Sequence, residues 1–344
     1  MRSTLALASL IVALAIPGCG GGSGAPAESA AKKGPEPIKI GLLLDDVHER
    51  WGRDRDMIQE IVTDMGGELL VAVADSDQAR QDQQAEKMLA DGVKALIVVA
   101  HDTESAAGLV EKANAAKVPV IAYDRLIRNA DVALYVGFDV SRIGELQASH
   151  ILSAAPKGNY ILIGGSPTDH NAKVLRESQM KVLEPAIKKG AIKVVADGWA
   201  ENWTAESAAK ITEQGLAKGR GQLAAVVASN DVTAGGAIGV LEAKGLAGKV
   251  AVSGQDAELD AAKRIVAGTQ TMTVYKSLRT MTRLAARNAV LLAKGEKVDT
   301  AATVNNGKIE VPAMMFDPIA VDKDNLDGLL IGDGFLKHEE VYGK

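Results

Sequence analysis

The sequence predicts an α/β fold of two lobes, each a parallel sheet covered by helices. Three observations predict it. From Ile38 onward, short runs rich in Val and Ile alternate with amphipathic stretches, the rhythm of successive β-α units. Aromatic residues make up only 3% of the 344 residues, so the cores must be built from Ala, Val, Ile and Leu, as in layers where helices cover a sheet. The rhythm also restarts midway, and a chain of this length has room for two cores.

Residues 1–19 have the features of an export signal: Arg2 as a minimal charged start, an apolar run over 5–16, and small residues before Cys19. The run is too short to span a bilayer as a helix. Cys19 is the only cysteine, so it forms no internal disulfide. Its place after Ile16-Pro17-Gly18 resembles the lipobox of bacterial lipoproteins, which implies a lipid-attachment site. Residues 20–37 are mostly Gly, Ala, Ser, Pro and Lys without periodicity, the composition of a flexible tether. No later stretch is apolar over about 20 residues.

Candidate strands follow at 38–44, 68–74, 95–100, 118–123 and 133–136, with helices at 53–65, 78–90 and 103–116 between them. The second series places strands at 160–163, 192–196, 224–228, 250–253 and 271–275, and helices at 172–187, 204–217, 234–244 and 259–266. Residues 304–310, with Asn305-Asn306-Gly307, form a turn between strands.

Polar residues follow nearly every strand: Asp45-Asp46, Asp75, His101-Asp102, Asp124-Arg125, Ser166, Asp197, Ser229-Asn230-Asp231 and Gln255-Asp256. In open parallel sheets the carboxyl ends of the strands line the ligand crevice. Each of these residues, taken alone, is equally well explained as the N-cap of the next helix. The aromatic residues add to the crevice reading, because Trp51, Trp199 and Trp203 all fall in loops or helix starts at strand ends. Flat rings beside charged donors and acceptors suit a pyranose, which has apolar faces and a polar rim. Trp199 has no further support and is assigned to partial core burial.

Other chemistries lack their signatures. The net charge is -5 without a Lys/Arg block, which argues against nucleic acid. No P-loop, G-x-G-x-x-G or H-E-x-x-H motif occurs, and Gly164-Gly165-Ser166 lacks the Lys-Ser/Thr ending of a phosphate cradle. His48, His101, His150, His170 and His338 show no metal-ligand spacing, and there is no G-x-S-x-G elbow. Neither a metal, a cofactor nor an enzymatic activity is expected.

Seven segments, in order, are KIGLLLDDVHERWGRDRD, VIAYDRLI, YVGFDVSRIGELQA, NYILIGGSPTDHNAK, VVASNDVTAGGAI, VSGQDAEL and IVAGTQTMTVYK. On these the chain resembles the pentose- and hexose-binding proteins of ABC transporters over nearly all of its length after Ile38. The loop DDVHERW departs from the family form in being one residue shorter, with His48 in place of an arginine. The resemblance implies a type I periplasmic binding protein: two Rossmann-like lobes, a three-strand hinge, and a sugar in the cleft between them, which closes on binding. It assigns 38–138 plus 276–305 to the N-terminal lobe and 139–275 plus 306–344 to the C-terminal lobe.

Residue by residue, the resemblance places Arg50 and Trp51 in the loop after the first strand, and Asp124 and Arg125 in the AYDR turn. The other lobe supplies Asp169, Asn171, Trp203, Asn230 and Asp256, and the hinge supplies Lys276. Asp124, Asp169 and Asp256 are expected to accept from sugar hydroxyls, Arg50, Arg125, Asn171, Asn230 and Lys276 to donate, and Trp51 and Trp203 to sandwich the ring. The implied ligand is a monosaccharide, D-xylose first, with glucose, ribose or arabinose as alternatives. The implied partner is an ABC transporter permease, or a chemoreceptor or histidine kinase for a sensor. A monomer is expected, outside the cytoplasmic membrane, touching that membrane or an outer one only through its lipid. A sugar-responsive repressor shares the fold but needs a helix-turn-helix where the export signal and tether stand.

Overall fold

The computed structural model describes residues 36–47 and 49–343. The export signal, Cys19, His48 and all but the last two residues of the tether lie outside the described residues.

The first half of the chain alternates as the apolar runs predict: β1 (Ile38–Leu44), α1 (Glu49–Asp64), β2 (Gly67–Val73), α2 (Gln78–Ala90), β3 (Ala95–Val98), α3 (Ala107–Ala115), β4 (Val120–Tyr123) and β5 (Leu134–Phe138). The second half continues with α4 (Val140–Ala154), β6 (Gly158–Gly164), α5 (His170–Lys188), β7 (Ile192–Trp199), α6 (Ala205–Lys218), β8 (Ala225–Ala228), α7 (Asp231–Ala243), β9 (Ala251–Val252), α8 (Leu259–Ala267) and β10 (Thr273–Tyr275). The last third returns through α9 (Leu278–Ala293), β11 (Ala302–Asn305) and β12 (Glu310–Phe316), then ends in β13 (Ile319–Val321) and α10 (His338–Tyr342).

Two main sheets result. One has seven strands in the order β11-β12-β5-β4-β3-β1-β2, parallel except where β11 runs against β12. The other has four parallel strands in the order β7-β6-β8-β9, and β10 pairs antiparallel with β13 beside it. Every residue of β3, β4, β5 and β8 is buried, which is why these strands read as continuous apolar runs and not as alternations. On one face of the large sheet Leu42, Ile97 and Ile121 pack with Ile58 of α1 and Met281 and Ala285 of α9. On its other face Leu43, Leu96 and Val120 pack with Met88 of α2 and Leu109 of α3. The four-stranded sheet repeats this arrangement, with Ile161, Val226 and Ile238 on one face and Tyr160, Leu162 and Leu183 on the other.

The chain passes between lobes between β5 and α4, between β10 and α9, and between β12 and β13. The third passage corrects the expected boundary at 305. Strand β12 pairs with β5 from Ala313↔Tyr135 to Phe316↔Phe138, so residues 306–316 belong with the N-terminal sheet and the crossing follows Phe316.

Candidate functional site

The carboxyl ends of both sheets open on one cavity. Its wall includes all ten residues singled out in the sequence: Arg50, Trp51, Asp124, Arg125, Asp169, Asn171, Trp203, Asn230, Asp256 and Lys276. Their placement differs from expectation at Arg50 and Trp51, which lie in the first turn of α1 and not in the loop after β1. The helix begins earlier than its apolar period suggests, so these side chains are fixed by helical backbone.

From the N-terminal lobe, Asp124 and Arg125 follow β4. Asp124 has φ 63°, a left-handed conformation that non-glycine residues adopt only when their surroundings hold them there. Here the Asp124 N–H donates to Val136 O (2.8 Å), while its carbonyl accepts from the Tyr135 hydroxyl and Asn171 Nδ2, both at 3.0 Å. The Asp124 carboxylate accepts from Arg50 Nη2 and lies 3.6 Å from Lys276 Nζ. Arg50 also reaches Asp256 Oδ1 at 3.3 Å, and Lys276 Nζ reaches the same oxygen at 2.8 Å. Arg125 bridges Asp45 (2.6 Å) and Asp169 (2.8 Å), and His101 Nδ1 holds the other oxygen of Asp45 at 2.7 Å.

Asp45, Arg50, Asp124, Arg125, Asp169 and Lys276 are buried and Asp256 nearly so, and burial alone raises a carboxyl pKa. At Asp124 that effect is overcome by Arg50 and then Lys276, so its carboxyl sits well below the usual range. Asp256 is lowered by Lys276 and Arg50 against the same burial. Asp54, beneath the site, is not so compensated: burial outweighs Arg50 and the Tyr123 hydroxyl and pushes it up to about 6.

On the C-terminal lobe, capping and site-lining turn out to be one arrangement. Asp169 caps α5, accepting from Asn171 N–H at 2.8 Å, while its other oxygen takes Arg125. Asn230 caps α7 through Oδ1, which accepts from Thr233 N–H at 2.9 Å. Trp203 has φ 59° and packs against Gly165, where an added Cβ would lie 2.1 Å from the indole. Trp199 lies outside the cavity wall, 41% exposed, with the Arg176 guanidinium 5.4 Å from its ring.

Sequence reasoning named Gln255 among the strand-end residues but did not find the remaining wall: Phe138, Val140, Ile143, Leu175, Val232 and Glu258. Phe138 is the most informative of these, an aromatic at the first crossing with Lys276 Nζ 5.9 Å from its ring. The apolar side chains read as core, and only the opposed lobe reveals that they face a cavity. The wall thus pairs flat apolar surface with interleaved cations and carboxylates. That combination suits an uncharged polyol, whose hydroxyls donate to carboxylates and accept from cations at once. Among the described residues no group of three or more His, Cys, Asp or Glu is placed to hold a metal ion.

Comparison with known proteins agrees with this chemistry. Residues 40–297 match the model of a periplasmic binding protein domain. The chain is 49% identical over 306 residues to the D-xylose-binding periplasmic protein of Haemophilus influenzae, covering 89% of this chain and 92% of that one. It is 45% identical to the protein of the same name from Escherichia coli K12, covering 88% and 92%. A carbohydrate transporter solute-binding protein from Chloroflexus aurantiacus, solved with D-glucose, superposes with a TM-score of 0.81 at 30% identity, covering 88% of this chain and 97% of that one.

Proposed function

The chain belongs to the periplasmic binding protein family, and from that premise we propose that it binds D-xylose between its lobes and delivers it to the permease of an ABC transporter. It is a binding protein and not an enzyme, and it acts outside the cytoplasmic membrane. The observation that carries the reading is the cavity wall, in which Asp124 and Asp256 share Arg50 and Lys276 across the two lobes. Each of these ions keeps lone pairs or N–H groups for a sugar hydroxyl, and charge-assisted bonds are the stronger class. Trp51 and Trp203, both nearly buried, give the ring its apolar faces. D-xylose is favoured because relatives at 49% and 45% identity bear its name, above the 30% of the glucose-bound structure. Cys19 is proposed as the lipid-attachment site that keeps the protein near its permease.

Calorimetric titration of the purified chain with D-xylose, D-glucose, D-ribose and L-arabinose, followed in parallel by tryptophan fluorescence, tests this reading. Saturation by D-xylose at micromolar concentration or below, with the other sugars weaker, is expected. A different preferred sugar overturns the ligand, and no binding of any of the four overturns the function.

A further inference from the structure

The turn carrying Asp256 is held from beneath by a residue that does not line the cavity. Residues 255–258 join β9 to α8, and Gln255, Asp256 and Glu258 are part of the cavity wall. The backbone here is unfavourable by itself, because Asp256 and Ala257 have φ of 99° and 53°, where a Cβ is strained. Asp231, the first residue of α7, is fully buried below it. Its N–H donates to Gln255 O at 2.9 Å. One carboxylate oxygen accepts from the Glu258 N–H (3.1 Å) and the Thr273 hydroxyl (2.8 Å), and the other accepts from Gln270 Nε2 (2.7 Å). Thr273 Oγ1 in turn accepts from the Ala257 N–H at 3.3 Å. A Cβ at residue 254 would lie 1.9 Å from Asp231 Oδ1, so Gly254 leaves the space this carboxylate occupies.

We propose that Asp231 is a positioning residue for sugar recognition: it sets the turn at 255–258 and thereby aims Asp256 at Arg50, Lys276 and the bound sugar. The inference rests on the sugar-binding reading above. A carboxylate that only stabilised the lobe would weaken binding by the same factor whatever stands at 256, whereas one acting through Asp256 loses its effect when Asp256 is altered.

The test is a double-mutant cycle on D-xylose affinity, measured calorimetrically with Asp231→Asn, Asp256→Asn and the pair in the full chain. Asp231→Asn is expected to weaken binding on the order of tenfold alone and by less than about threefold beside Asp256→Asn, the non-additivity of residues that act together. An undiminished factor in the pair overturns the inference. If Asp231→Asn does not fold, Thr273→Val, which removes the hydroxyl shared by Asp231 and the Ala257 N–H, takes its place in the same cycle with the same criterion. Failure of the unaltered chain to bind D-xylose refutes the sugar reading, and is thereby distinct from an additive cycle in a chain that binds.

Discussion

Asp54 and Asp124 lie on either side of Arg50, and their opposite titration follows from what each finds there. Asp124 receives Arg50 directly with Lys276 near, whereas the Asp54 carboxylate is 3.8 Å from Arg50 Nε and relies on the Tyr123 hydroxyl at 2.8 Å. Asp124 is lowered on folding, so its stabilisation is present above the unfolded pKa near 4 and is lost as pH falls below it. Asp54 is raised from 3.8 to about 6. Its contribution therefore has the other sign: fully present below about pH 4 and lost as pH rises through about 6, on the order of 3 kcal/mol in all. Asp231 and Asp169 are also raised, chiefly by burial, and add to the same slope. The expected outcome is that Asp54→Asn flattens, without abolishing, the decline in thermal stability between pH 4.5 and 7. Melting curves across that range check it, and an unchanged slope would mean that Asp54 is ionised throughout.

At the level of elements, most of the fold was legible because buried parallel strands announce themselves as apolar runs. The helices α4 and α9 were not read, for local reasons. Gly144 interrupts α4 as a helix breaker would, yet a Cβ there would lie 2.6 Å from Leu175 O, so the glycine is what lets α4 and α5 pack closely. Helix α9 has Ser277 at its start, but Thr280, Thr282 and Asn288, residues of low helix propensity, blur its pattern. Strand β12 contains Pro312, which argues against a central strand; Pro312 is paired only with Thr303 of β11, and the pairing with β5 begins at Ala313. The polar site residues were legible through their motifs and strand-end positions, whereas Asp231 and Phe138 acquire their roles only from contacts distant in sequence. The loop from β7 to α6 presents Trp203 by another such contact, against Gly165. Gly165→Ala places a methyl 2.1 Å from the indole and is expected to displace the ring and weaken D-xylose binding at least about tenfold, the scale of a misfit at a well-packed site. Calorimetry checks the affinity and circular dichroism the fold; unaltered affinity would remove Trp203 from the sugar-binding set.

At the scale of the whole molecule, contacts among the described residues join the lobes across the cleft both within the cavity and outside its wall. Within the cavity, Arg125–Asp169, Arg50–Asp256 and Asn171 to the Asp124 carbonyl are the groups assigned to the sugar. At the rim, the Thr103 N–H and hydroxyl both donate to Thr168 O at 3.2 Å, and Thr103 Oγ1 accepts from the His170 N–H at 3.1 Å. Neither Thr103 nor Thr168 lines the cavity. The rim set therefore favours the closed arrangement without touching what distinguishes one sugar from another. A change in closure lowers every apparent affinity by the same fraction, because it alters only the population competent to hold ligand. Thr103→Val keeps the volume and the N–H bond but removes both bonds of the hydroxyl. It is expected to weaken D-xylose and D-glucose equally, by about three- to tenfold for one or two neutral hydrogen bonds, and to enlarge the radius of gyration of the free chain in small-angle scattering. An altered ratio between the two sugars would show instead that the rim takes part in recognition, and that closure and selectivity are set by the same residues.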